Sequence, residues 1–196
     1  MENKFSSFYK TYLSFIDNGH FFRKPFTWLY SLLAYVNLLI PILVFYKAND
    51  NGIFDKPAKF VIVFLLLWVI VAFAGWLGFQ LWGERKLKIE VSTNVGDEFI
   101  ATPTLAHFIQ TFGEWIGTWI GIVGTGFALL TTIILGNNVF YLDTVIGIPF
   151  LNTGWTAILI QPIFGFFIIV FSRFFSEQIR ALSTIANNTK QKQTNP

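Results

Sequence analysis

The chain has 196 residues, 54% of them hydrophobic and 13% charged, with 24 Phe, 7 Trp and a mean hydropathy of +0.56. A water-soluble domain carries about a quarter charged residues, so this composition excludes an ordinary soluble fold. The absence of Cys excludes disulfides, thiolate metal sites, thioether-linked haem and cysteine lipidation, and with a net charge of only +3 no nucleic-acid partner is expected.

Residues 1–24 place Phe5, Phe8, Tyr9, Tyr12, Leu13 and Ile16 on one helical face and Ser6, Ser7, Lys10, Thr11 and Ser14 on the other. This pattern predicts an amphipathic interfacial helix in the headgroup plane, stopped by Asp17-Asn18-Gly19. It suits a membrane-surface tail and a partner-binding helix equally. A signal-peptide layout is missing: the first unbroken apolar stretch follows Arg23-Lys24 and no small-residue cleavage site comes at the right distance. The first span is therefore expected to be retained.

Four runs, 26–46, 60–82, 114–135 and 155–172, are long enough to cross a hydrocarbon core of about 30 Å, which takes about 20 helical residues. Backbone groups find no partner in lipid, and none of the runs alternates as a barrel strand does, so all four are predicted helices. Leu87–Ser92 does alternate, which suggests a short strand, and Asn94–Asp97 reads as a turn. Thr102 suits an N-cap with Pro103 at the first helical position, so a helix starting there runs on into the third span. The segment 136–154 carries one charge, Asp143, among large apolar groups. It is expected to lie on the outer surface or as a lid, with a shallow re-entrant loop as the alternative. Beyond the fourth span, Phe175, Ile179, Leu182 and Ala186 keep helical spacing, and Glu177 is placed to pair with Arg173 and Arg180. The expected organisation is an interfacial segment 1–24, a four-helix transmembrane domain 25–186 and a disordered tail 187–196.

Basic residues orient these spans. With both termini inside, the cytoplasmic side holds eleven Lys and Arg and the outer side three, Lys47, Lys56 and Lys59. The positive-inside rule then puts the N-terminus and the C-terminus in the cytoplasm. Trp28, Trp82 and Trp155 lie near span ends, where aromatic belts form. The fold class predicted is all-α: a polytopic integral membrane protein with four transmembrane helices, an N-terminal interfacial helix and a C-terminal cytoplasmic helical extension.

The third span contains GEWIGTWIGIVGTG, with five glycines in fourteen residues. At about 100° per residue, Gly113, Gly117, Gly121, Gly124 and Ala128 share one face, and Trp115, Ile116, Trp119, Ile120, Val123 and Phe127 fill the other. In lipid, helices associate through close packing, and a small-xxx-small stripe permits it. The stripe is therefore read as a helix-packing groove, filled by another helix of this chain, by a second copy or by another subunit. Ala74, Gly75 and Gly78 on the second span offer a partner surface.

Beside the groove runs a polar line of His107, Glu114, Thr118, Thr125 and Thr132. It reads as an ion or proton site centred on Glu114, or as structure: threonines bonding back to their own helix and a carboxylate paired with Arg85, Lys86 or Arg173. Asn37, one turn before Pro41, and Gln161, before Pro162, are further polar groups inside the spans. They are expected to act as hydrogen-bonding glue and are close enough in depth to meet. The chain lacks a zinc-helix signature, a phosphate loop, a nucleophile elbow and paired intramembrane histidines, so neither enzymatic activity nor a cofactor or metal is expected.

The segment FYKTYLSFIDNGHFFRKPFTWLYSLLAYVNLLI, with a Phe-rich stretch and a basic-Pro step before the first span, resembles the entry to a family of small bacterial multi-span membrane proteins of unknown function. FFIIVFSRFFSEQIRALSTIANNT is similar to that family's last span, which runs into an Arg/Glu-bearing cytoplasmic helix. The resemblance covers the first and last quarters of the chain and implies a bacterial inner-membrane location. It supplies no functional residues, and the insert at 83–112 departs from it. The function expected is that of a non-catalytic scaffold or accessory subunit, with the lipid bilayer and other membrane subunits or itself as partners. The alternative is a small transporter or ion or proton channel using Glu114 and the threonine line.

Overall fold

A computed structural model of the chain describes residues 20–91, 101–136 and 153–194. Among them the regular structure is entirely helical. Helix α1 spans His20–Asp50 and α2 Ala58–Val91. The third helix, α3 (101–135), is continuous but changes pitch: α-helical over Ala101–Trp119, π-helical over Ile120–Gly124, α-helical over Thr125–Leu130 and π-helical again over Thr131–Leu135. Helix α4 spans Trp155–Thr194. Each of the four is long and apolar enough to cross a membrane, over Lys24–Asp50, Ala58–Ile89, Thr102–Leu135 and Trp155–Thr189, the make-up of a multi-pass membrane protein.

The helices pack as two pairs, α1 on α2 and α3 on α4, joined chiefly through α2 and α3. A tight connection links α1 to α2. Gly52 takes the left-handed conformation (φ 68°) that a side chain resists, and Ile53, in the 3₁₀ turn Ile53–Asp55, is buried behind it. Facing residues of α2 and α3 build the larger apolar core from Val63, Phe64, Leu67 and Val71 against Trp119, Val123 and Phe127. A smaller aromatic core at the other end joins Tyr30, Ala34, Trp82 and Ile89 to Phe108 and Trp115.

Helix α4 reverses the soluble pattern. Gln161, Gly165, Ser172, Ser176 and Ser183 point into the bundle, while Phe166, Phe167, Phe171 and Phe174 face outward. Outward apolar groups cost nothing in lipid, and small inward ones let helix axes approach.

Several expectations change. The strand suggested for Leu87–Ser92 is helical through Val91: α2 simply continues, with Ile89 buried and Lys88 paired to Glu84 one turn back at 3.2 Å. A six-residue alternation with no neighbouring strand cannot pair its backbone, whereas continuing a helix can. Helix α3 starts at Ala101, before the Thr102 cap expected, a difference within the ordinary spread of helix ends. Helix α4 continues to Thr194 through most of the tail expected to be disordered. Trp28 and Trp155 are exposed as belt residues are, but Trp82 is fully buried against Tyr30, at a ring separation of 5.0 Å. The interfacial segment up to residue 19, the turn at 94–97 and most of the loop 136–154 lie outside the described residues.

Candidate functional site: a buried carboxylate at the charged end of the bundle

Glu114 is the one charged residue buried among those described, at 3% exposure. It stands where α2, α3 and α4 leave the apolar zone. Arg173, on α4, lies 18 residues from Trp155, which is about 27 Å along a helix and so the far border of a hydrocarbon core. Burial of a carboxylate is costly unless its charge and lone pairs are met, and here they are. Arg85 of α2 approaches Oε2 through Nη2 at 2.8 Å and Nε at 3.1 Å. Arg173 donates Nε–H to Oε1 at 2.8 Å, and Gln110, one turn before Glu114, donates Nε2–H to the same oxygen at 2.8 Å. The carbonyl oxygen of Gln110 then accepts from Arg180 and from the Ser176 hydroxyl at 3.5 Å. Three helices are thus tied by one carboxylate and one amide. The pairing of Glu177 with Arg173 and Arg180 is replaced by these contacts. A buried carboxylate competes better for guanidinium than an exposed one, because water screens the exposed charge.

His107 belongs to a separate network. Its Nδ1 lies 2.9 Å from the Tyr30 hydroxyl of α1, which donates to Thr111 Oγ1 at 3.3 Å. Thr111 in turn donates to the His107 carbonyl at 2.8 Å. Each hydroxyl has one proton, so the assignment that satisfies all of them puts a proton on Nδ1 donating to Tyr30. His107 and Glu114, two turns apart on α3, therefore serve different neighbours.

Asn37 is 1% exposed and joins α1 to α3. Its Oδ1 accepts the indole N–H of Trp115 at 2.7 Å and of Trp119 at 3.2 Å, and its amide donates to the Leu33 carbonyl at 2.7 Å. Gly78 makes the room: a Cβ there would stand 3.2 Å from the Trp115 nitrogen and closer still to the Asn37 amide. Gln161 addresses the opposite face of α3, its amide lying where a Cβ on Gly124 would stand 2.8 Å from Oε1. The two amides expected to meet are thus each matched to a different side of α3.

The threonines do not form a continuous polar line. Thr118 bonds back to the Glu114 carbonyl of its own helix at 2.7 Å, as Thr131 on the glycine face does to Phe127 at 2.6 Å. Thr132 accepts from the Gly154 amide at 3.0 Å, and the buried Thr125 hydroxyl has no partner among the described residues.

The glycine stripe is covered by α4. A Cβ on Gly117 would stand 2.5 Å from the Gly165 carbonyl, and one on Gly113 would overlap Ser172. At Gly121 the contact comes from the other side: a Cβ on Gly165 would stand 2.9 Å from the Gly121 nitrogen, while Gly121 itself has open space. Ala128 is fully buried. Of the partner surface suggested on α2, Ala74 packs in the core with Trp119, Gly78 lies between Asn37 and Trp115, and Gly75 faces α1, against the Asn37 carbonyl and Pro41. Pro41 cannot bond that carbonyl, so it is available for the close approach that Gly75 permits.

A cleft of about 290 Å³ remains between α2 and α3, walled by Leu77, Leu81, Trp115 and Trp119, with Arg85 and Thr118 also lining it. Sequence reasoning did not identify Gln110, Tyr30, or the small-residue face of α4. The last had a signal: Gly165 and Ser172 are seven apart, as are Ser176 and Ser183, the spacing at which a helix returns to one face. No protein-family model, curated protein or solved structure matches the chain.

Proposed function

We propose that the chain is a non-catalytic scaffold or accessory subunit of a larger bacterial inner-membrane assembly, with its charged end and both termini in the cytoplasm. The observation that carries this reading is the state of Glu114. Both its oxygens are engaged by two arginines and Gln110, which makes it a counter-ion tying helices together and leaves it no lone pair directed at a substrate. The sidedness is supported by the position of Arg85, Arg173 and Arg180 at the charged end. Since α4 occupies the glycine stripe, the surface left for another subunit is the outward aromatic face of α4, which has the fewest buried residues of the four spans.

Two measurements test the reading. Purified in mild detergent, the protein is expected to run as part of a complex of defined stoichiometry, and polar substitutions at Phe164 and Phe171 are expected to shrink that complex while leaving helix content unchanged. A chain that runs alone from its native membrane would count against an accessory role. The transport alternative requires flux in proteoliposomes that depends on Glu114. No flux above lipid background, with wild type and Glu114→Gln alike, is the outcome expected here.

A further inference from the structure

We propose that Arg173 and Arg180 hold the phosphate of an anionic phospholipid at the charged end of α4. The cluster around Glu114 is unbalanced. Among the described side chains of this network, Arg85, Arg173 and Arg180 bring three positive charges, and Glu114 of α3 and the exposed Glu177 of α4 bring two negative ones. The neighbouring pair Glu84–Lys88 cancels itself. One positive charge is left over, and a phosphodiester headgroup carries one negative charge.

The donors are available as well as the charge. Arg173 meets Glu114 through Nε, and its side chain stays 53% exposed, so among the described residues its terminal amines have no acceptor. Arg180 uses Nη2 on Gln110. Arg173 is anchored by the buried Glu114 and Arg180 by the half-buried Gln110, so their guanidinium groups are held in place before a ligand arrives, and a planar guanidinium matches phosphate with paired hydrogen bonds.

The position identifies the phosphate as that of a lipid. Arg173 sits at the border of the hydrocarbon core, as its distance from Trp155 shows. On the same side of α4, one and two turns deeper, Val170 and Phe166 are exposed. A headgroup on the two arginines would therefore have its acyl chains along an apolar track. Basic pockets between helices at this depth are where anionic headgroups bind.

The experiment is native mass spectrometry of the full chain released from nanodiscs containing equal amounts of phosphatidylglycerol and phosphatidylcholine. Wild type is expected to retain phosphatidylglycerol in preference by about tenfold. Arg173→Gln/Arg180→Gln is expected to retain the two lipids about equally. Arg180→Gln alone leaves both arginine contacts of Glu114 in place, so it keeps the proposal testable if the double variant misfolds; its preference is expected to fall about threefold. Equal retention by wild type, or an undiminished preference in folded Arg180→Gln, would overturn the proposal. Loss of the retained phosphatidylglycerol on adding inorganic phosphate, but not chloride at equal ionic strength, would also overturn it by making soluble phosphate the ligand. The proposal rests on the chain spanning a bilayer, which alkaline carbonate extraction tests separately: release from the membrane would defeat both readings, whereas a membrane-retained chain without lipid preference would defeat only this one.

Discussion

At the scale of single residues, Glu114 and Asn37 each join helices. Glu114 is the clearest case. Replacing it with Gln keeps the volume but leaves Arg85 and Arg173 facing each other without their counter-ion, and breaking a buried ion pair from one side costs about 3–5 kcal/mol. Glu114→Gln is expected to lose a sizeable part of that, measured as reversible unfolding in mixed micelles. An unchanged unfolding midpoint would mean the network contributes little. Asn37→Leu removes one acceptor from two indole donors, and orphaning buried donors costs about 1–3 kcal/mol each at most. It should also change the tryptophan emission, because Trp115 and Trp119 lose the same carbonyl. The chemistry of both residues was legible in the sequence, as a carboxylate near arginines and an amide inside a span. Their partners were legible only in part. Arg85 and Arg173 followed from depth along the helices, but Gln110 and the indoles depend on side-chain directions that spacing alone does not specify.

At the scale of helices, α3 and α4 meet through matched small faces. The glycine stripe of α3 could be read from a helical wheel because five small residues coincide on it. Its occupant could not, since any close-packing helix satisfies the same pattern. The serines of α4 carried the answer but resemble ordinary polar surface until the helix is seen to turn its phenylalanines outward. The wheel also assumed one pitch throughout, whereas α3 contains two π-helical segments, which change the phase of everything after them. One contrast follows for neighbouring glycines. Gly117→Ala places a methyl 2.5 Å from the Gly165 carbonyl and is expected to destabilise by about 1–3 kcal/mol, as overpacking does. Gly121→Ala meets nothing within 4 Å and should be neutral or slightly stabilising, since alanine is the better helix former. Equal effects at the two positions would contradict the packing described.

At the scale of the molecule, the four spans were legible because lipid leaves the backbone one solution for long apolar runs. The extension of α4 beyond its span was expected as far as residue 186, and the helix runs on to Thr194; α2 continues to Val91 where a strand was suggested, since helix propagation and packing against α3 do not stop where hydropathy falls. The membrane sidedness proposed predicts that cysteines placed at 13 and 188 are labelled from the cytoplasmic side and one at 51 from the opposite side, a scan that needs no background removal because the chain has no native Cys.

The central claim is that the glycine face of α3 is closed by α4 of the same chain. It is tested most directly by oxidising a Gly124→Cys/Gln161→Cys double variant. Gln161 Cγ lies 3.3 Å from where a Cβ on residue 124 stands, within reach of a disulfide. The account predicts a cross-linked monomer, with neither single-cysteine variant forming dimers. Covalent dimers as the main product would place the groove between chains and contradict it.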